Sequence, residues 1–384
     1  MSTLPELRPT WADIDLDAFA RNIDAIVANL PERSRLVAVL KANAYGHGAA
    51  ELARRCSPEK VAMIATSLLE ESVELRRAGI TLPLLVLGPV RASQLPLAFE
   101  HELTLGIPGP EELAIVAEAA RDRDVHVHLK LDSGMGRMGS IEEELPGVVE
   151  VLRGAPRLHV DAIYTHLANA GDVDDPFSDE QIARFRTLVE TLREAGIDAP
   201  LHHVANSAAT MRGLVAPGEL VRVGIALYGA EPLDRDSPRL EPVMRWRTEI
   251  ARLKELPAGH AIGYGTTFHT TRVSRIATLP VGYADGYNRL LSNRGEVLVR
   301  GRRAPIVGRV SMDLVTVDVT YIEGAAVGDE VVLLGRQGDE EITAEELAAK
   351  LDTISYEVFC NVGARVPRVY RDGGVARIRS RFDA

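Results

Sequence analysis

Eight short apolar runs, most of them separated by amphipathic stretches, occupy the first 230 or so residues of the chain, and this alternation limits the possible architectures more than any single residue does. The runs are Leu36–Leu40, Val61–Ala65, Pro83–Leu87, Leu103–Ile107, Val125–Leu131, Val160–Thr165, His203–Ala205 and Val221–Leu227. Helical spacing is read at Glu70–Arg77, Pro110–Ala120, Ile141–Leu152 and Asp179–Glu194, and ahead of the first strand at Asp17–Leu30, where Asp17 can cap and Pro31 stops the helix. Strand-then-helix repeated in this way is the arithmetic of a (β/α)8 TIM-type barrel, a fold of ~250 residues. The alternative, a doubly wound open sheet, usually has fewer strands and a glycine-rich first turn, which this sequence lacks.

Beyond about residue 235 the pattern changes to short β-branched runs broken by glycine-bearing turns: Met244–Leu253, Ser274–Leu279, Glu296–Val299, Ala304–Val307, Leu314–Val319 and Glu330–Leu334, with one helical interruption at Ala344–Leu351. The expected division is therefore a barrel over 1–235 and a mostly β domain over 236–384, joined near Glu231–Pro242. The segment near 11–16 is a candidate strand for packing with that second domain.

A formal charge of −11 opposes non-specific binding to nucleic acid or anionic membrane. Two cysteines, Cys56 and Cys360, make neither a disulfide framework nor a zinc pattern. The amino-terminal residues carry no signal-peptide pattern, and no apolar run approaches the ~20 residues of a membrane span. A cytoplasmic protein without metal is the expectation.

In a barrel, functional groups collect at the carboxyl ends of the strands, with phosphate often held by the loops after strands seven and eight. Lys41 ends strand one, in RLVAVLKANAYGHG, with Asn43, Tyr45 and His47 close behind and small residues between them. A lysine there is commonly a charge reaching for water, but this setting suits one that forms a Schiff base with a carbonyl cofactor. His166 ends strand six, Asn206 and Ser207 end strand seven, and Arg222, Gly224 and Ile225 are placed on strand eight. Ser207 with the Gly224 and Ile225 backbone suits a phosphate; the competing reading of Asn206 and Ser207 is a helix cap. Strand five, VHVHLKLD, sets His126, His128, Lys130 and Asp132 on one face, with Arg137 following. An interior lysine beside a second cation needs an anion, and Asp132 is the candidate.

KANAYGHG, KLDSGMGRMG, YTHLANA, ANSAA, VRVGIALYG, GYGTTF, GYADGYNR and GRVSMD, in this order, resemble the alanine racemases, pyridoxal-phosphate enzymes with a barrel and a carboxyl-terminal β domain. The resemblance implies that Lys41 carries pyridoxal 5'-phosphate and that Tyr264 is the second acid/base, reaching the site from the partner subunit of a homodimer. It also implies that Tyr45, Ser207, Gly224, Ile225 and Tyr356 hold the phosphate and that Asn206 belongs to the cofactor site. Arg137 would face the cofactor's phenolic oxygen, Arg222 its ring nitrogen, and His166 would bond and tune Tyr264. Lys130 would be carbamylated, becoming an anion beside Arg137. Tyr283, the Met312 backbone and Arg137 would meet the substrate carboxylate, and Arg289 and Asp313 would line its approach, with a structural salt bridge as their alternative. Ser311 stands where some members have cysteine.

The implied activity is L-alanine to D-alanine interconversion by two bases, supplying D-alanine for peptidoglycan. Alternatives are a racemase of serine, lysine or a broader set, against which Tyr356 would crowd a longer side chain, and a pyridoxal-phosphate-binding homeostasis protein. The latter class lacks the second domain and its tyrosine, so the residues from Met244 onward argue against it.

Overall fold

The computed structural model describes residues 8–233 and 240–379. The chain forms two compact units: one of Ala20–Ala44 and Ala49–Leu240, the other comprising the rest of the described chain, including the segment before Ala20 and Tyr45–Gly48. The boundary expected at residue 235 lies outside the described residues.

The first strand, β1 (Thr10–Asp15), belongs to the second unit. The first unit is built on β2 (Arg35–Val39), β3 (Val61–Thr66), β4 (Leu84–Val86), β5 (Thr104–Ile107), β6 (Val125–Lys130), β7 (Leu158–Tyr164), β8 (Leu201–His203) and β9 (Leu220–Val223). All pair in parallel, in the order β8-β7-β6-β5-β4-β3-β2-β9. The barrel is nearly closed, and the seam between β8 and β9 carries an Arg222 N–H to Ala205 carbonyl bond of 2.9 Å. Both strand faces are dry: Leu36, Val37, Ala38, Ile64, Leu84, Leu85, Val86, Val127 and Val221 are fully buried, which is why these strands read as continuous apolar runs. Gly106 makes interior room, because a Cβ there would lie 2.5 Å from the Tyr164 hydroxyl and 3.0 Å from the Val86 carbonyl.

Several strand expectations shift, among them Ala304–Val307, which is observed at Arg302–Pro305. Strand eight stops at Val223, because the chain bends at Gly224 (ψ −87) and continues as the short 3-10 helix Ile225–Tyr228; Gly224 and Ile225 lie beyond the strand. Strand seven lies earlier than His203–Ala205, at Leu201–His203, in register with β7. Met244–Leu253 splits into Met244–Glu249 and the start of Arg252–Leu256, which join different sheets. Ile141–Leu152 opens as a 3-10 turn, and its α-helix starts at Leu145, where Pro146 fits the first turn without losing a needed donor.

In the second unit β1 is interior to a large sheet, antiparallel to Met244–Glu249 and parallel to Arg368–Asp372. Asp13, 5% exposed, is clamped from both neighbours: Arg247 Nε at 2.5 Å and Arg371 Nη2 at 2.6 Å. A smaller sheet orders Arg252–Leu256, Ser274–Leu279 and Val315–Asp318, and the hairpin Ala261–Ile262/Phe268–His269 stands beside it. Among the described residues, no helix is long and apolar enough to cross a membrane.

Candidate active site

Lys41 follows β2 by two residues, and the backbone after it is unusual. Ala42, Asn43, Ala44 and Tyr45 have φ of 51°, 53°, 53° and 51°, four consecutive non-glycine residues in the left-handed region. Each costs on the order of 1–2 kcal/mol, a strain tolerated where surrounding bonds over-determine it. Those bonds are present: Glu71 Oε1 accepts the Ala42 N–H at 2.6 Å, Asn43 Oδ1 accepts the Ala49 N–H at 2.8 Å, and Leu40 O accepts the Ala44 N–H at 2.8 Å. The lysine is thereby set on a stiff left-handed turn.

Next to β2 in the sheet, Arg222 pairs in register with Val37. Its guanidinium is buried among acceptors: Nη1 donates to His203 O (2.7 Å) and His203 Nδ1 (2.8 Å), and Nη2 to Thr165 O (2.6 Å), with Val204 O and His166 Nδ1 at 3.3 Å. Burial lowers Arg222 to about 10, leaving it protonated at neutral pH. Its Nε–H has no acceptor among the described residues. Burial, then the charge of Arg222, pushes His166 down to about 3, so this imidazole is neutral; since Arg222 can only donate, Nδ1 accepts and the His166 hydrogen sits on Nε2.

Tyr164 packs under this group, its ring parallel to His203 at 4.5 Å and facing the Arg222 guanidinium at 5.3 Å and Lys130 Nζ at 5.8 Å. Lys130 is 7% exposed, and burial, then Arg137 and Arg222, lower its amine to about 8. The strand-five face therefore looks into the barrel from His128 onward, whereas His126 is exposed and bonded to Asp161. Asp132 does not form the expected salt bridge with Lys130 or Arg137. Its carboxylate accepts from the backbone N–H groups of Gly134, Met135 and Arg137, closing the loop that carries Arg137.

Asn206 is a helix cap, its Oδ1 accepting the Ala209 N–H at 3.0 Å. Ser207 Oγ accepts the Gly224 N–H at 2.9 Å, which leaves the serine hydrogen available, and Ile225 opens a 3-10 helix whose first amides have no internal acceptor. A lysine at a strand end, one unengaged guanidinium N–H, and a serine hydroxyl beside an open amide form a donor set that fits a phosphorylated pyridine aldehyde.

The second unit holds the other expected residues. Tyr45 and Tyr356 lie with ring centroids 5.7 Å apart, and burial raises both hydroxyls, Tyr356 to about 12. Their loop is pinned where Arg368 Nε donates to Gly46 O at 2.9 Å. Tyr264 sits at the tip of the Ala261–His269 hairpin and is 71% exposed. Tyr283 and Met312 are neighbours: Ala284 N–H donates to Met312 O at 3.0 Å, and a Cβ on Gly282 would lie 2.3 Å from that oxygen. Asp313 is paired with Arg365 at 2.7 Å; Arg289 opens the short 3-10 helix Arg289–Leu291.

His203 escaped the sequence reading, although it bonds Arg222 directly. The HH doublet ahead of ANSAA was the available signal, but without knowing which histidine faces the interior it carries no role.

A nearly closed parallel barrel with its lysine, arginine and serine at the carboxyl ends of adjacent strands defines a barrel enzyme equipped for a phosphorylated carbonyl cofactor. The family model "Alanine racemase, N-terminal domain" matches residues 14–232 and "Alanine racemase, C-terminal domain" matches residues 243–370. The chain is 44% identical to the alanine racemase of Halothermothrix orenii, over 95% of this chain and 97% of that one, and 43% identical to that of Symbiobacterium thermophilum, over 96% and 98%. Among solved structures, the Bacillus anthracis alanine racemase with bound L-Ala-P matches with a TM-score of 0.92 at 37% identity, over 99% of this chain and 100% of that one. The Bartonella henselae alanine racemase with covalently bound pyridoxal phosphate matches at 0.86 and 26% identity, over 95% and 100%. The chain belongs to the alanine racemase family.

Proposed function

We propose that the protein interconverts L- and D-alanine with pyridoxal 5'-phosphate held covalently on Lys41. The observation that carries this reading is the pairing of β2 with β9, which brings Lys41, Arg222 and the Gly224–Ile225 turn out of the same edge of the barrel. The cofactor, when bound, withdraws electrons and acidifies the hydrogen on the substrate Cα. Inversion then needs one group on each face of that carbon. Lys41 Nζ serves one face and Tyr264 Oη the other, each accepting a proton when the other donates. Arg222 offers its remaining Nε–H to the ring nitrogen and, as a group that keeps its proton, leaves that nitrogen unprotonated. His166 offers its Nε2–H to the Tyr264 oxygen. Tyr45, Tyr356, Ser207, Gly224 and Ile225 belong to the phosphate end, Asn206 to the cofactor site, Tyr283 and the Met312 backbone to the substrate carboxylate, and Arg137 to the substrate. Arg289 and Asp313 lie on the approach.

Tyr264 acts from the partner subunit of a cytoplasmic homodimer. In support, the large side chains Tyr264, Tyr283, Leu290, Met312 and Leu314 are 41–71% exposed in one chain. Lys130 is carbamylated: its neutral Nζ attacks the carbon of CO2, an N–C bond forms as one C=O π bond opens and its electron pair moves to oxygen, and a proton leaves the nitrogen to solvent. The resulting anion answers the positive charge of Arg137 that an ammonium would oppose.

Borohydride reduction of the holoenzyme and peptide mapping should place the cofactor on Lys41, with racemisation of L-alanine measured on the same preparation. Attachment to another lysine, or faster turnover of a larger amino acid, overturns the reading.

A further inference from the structure

The bond between His203 and Arg222 continues away from the proposed chemistry. His203 Nε2 lies 3.0 Å from His128 Nδ1, and both imidazoles are buried, His203 fully and His128 to 2% exposure. Roles along this line are forced from one end. Arg222 has only donors, so His203 Nδ1, at 2.8 Å, must accept; a neutral imidazole that accepts at Nδ1 carries its hydrogen on Nε2. That hydrogen points at His128 Nδ1, which must accept in turn, leaving the His128 hydrogen on Nε2. His128 lines a cavity of about 670 Å³ at the amino-terminal mouth of the barrel, between Met63, Leu201 and Leu220, and its Nε2 has no protein partner among the described residues.

We propose that His128 and His203 are positioning residues: a one-way hydrogen-bond chain, Arg222 to His203 to His128, that holds the guanidinium by an acceptor with a fixed tautomer and ends on a donor facing the amino-terminal cavity. The chain rests on Arg222 meeting the cofactor nitrogen only for its effect on turnover; its tautomers stand by themselves. Protonation of either ring would set two donors against each other. The surroundings oppose it: burial, then Arg222, holds His203 well below the usual histidine range and, with Asp161 opposing, His128 at about 4. The parallel Tyr164 ring at 4.5 Å keeps the His203 plane from turning. The device explains why a largely apolar interior carries two buried histidines, on β6 and β8, facing each other across β7.

Neutron diffraction of the holoenzyme reads the ring hydrogens directly. The expected result is hydrogen on Nε2 and none on Nδ1 in both His203 and His128; a hydrogen on His203 Nδ1, or a doubly protonated ring, overturns the proposal whatever Lys41 carries. Two variants supply the functional arm. His128→Asn keeps an acceptor near the Nδ1 position, and His128→Leu removes it. His128→Leu is expected to lower kcat about tenfold with little change in KM for alanine and to shift the visible absorbance of the bound cofactor, whereas His128→Asn recovers most of both. Equal kcat and absorbance in the two folded variants reduces His128 to packing and overturns the proposal. If His128→Leu fails to fold, the neutron tautomers and the absorbance of His128→Asn still decide it.

Discussion

Lys130 offers a chemical test whose size follows from its surroundings. An ordinary lysine at pH 7.5 is neutral about one time in a thousand; an amine lowered to about 8 is neutral about a quarter of the time, some two hundred times more often. Only the neutral amine attacks CO2, so this lysine is primed for the reaction. Unmodified, it is also a burden. The folded chain binds its proton less readily than the unfolded chain, so the penalty is fully present below about 8 and disappears as the pH rises to 10.5. The full shift corresponds to about 3 kcal/mol, which partial solvent access reduces to about 2. Carbamylation removes that penalty and adds attraction to Arg137. Adding 13C-bicarbonate to CO2-depleted protein at neutral pH should therefore produce a carbamate carbon resonance and raise the thermal midpoint by a few degrees, with racemisation rising in parallel. Lys130→Met, which keeps the stem and loses the amine, should show neither response. Absence of the resonance in the wild type, together with a midpoint indifferent to bicarbonate, refutes the reasoning.

Three further expectations can be checked with simple variants or titrations. Mixing inactive Lys41→Ala and Tyr264→Ala subunits should return up to about a quarter of wild-type activity, since half the dimers are hybrids and each hybrid holds one intact site; no recovery after verified exchange rules out a shared site. His166, His128 and His203 are all held neutral by burial, so stability should be full above 6.5 and fall as the pH drops towards 4, with a slope of up to about 4 kcal/mol per pH unit measured by urea unfolding; a flat profile in that window contradicts the buried relay. Gly286→Ala should cost more than about 3 kcal/mol, because φ is +102° and the new Cβ would lie 1.7 Å from the Asn361 carbonyl oxygen; a melting point within a degree of wild type would show that this turn can move.

The barrel was legible because parallel strands buried on both faces leave uninterrupted apolar runs such as Leu36–Leu40, and burial there is complete. Periodicity failed where the backbone, not the side chains, changes course. Gly224 ends a strand inside an apolar run that continues to Leu227, and a bend between Glu249 and Arg252 sends one apolar segment into two sheets. The left-handed turn after Lys41 was hidden for the same reason: Ala42, Asn43 and Ala44 carry no glycine signal, and one of the bonds that make the conformation tenable comes from Glu71, distant in sequence. Strand position singled out Lys41, His166, Ser207 and Arg222. It could not say that Asp132 would turn to its own loop, nor that Arg222 would be held by His203, because both depend on which acceptor lies nearest in space.

The place of Thr10–Asp15 between Met244–Glu249 and Arg368–Asp372 has a consequence for how the molecule is made. Its nearest partner is synthesised about 230 residues later, so at roughly 5–20 residues per second this short segment leaves the ribosome some ten to fifty seconds before anything exists for it to pair with. Asp13 and its polar neighbours keep the waiting strand hydrated during that interval, and of the two arginines that finally grip the carboxylate, Arg371 arrives only at the end of translation.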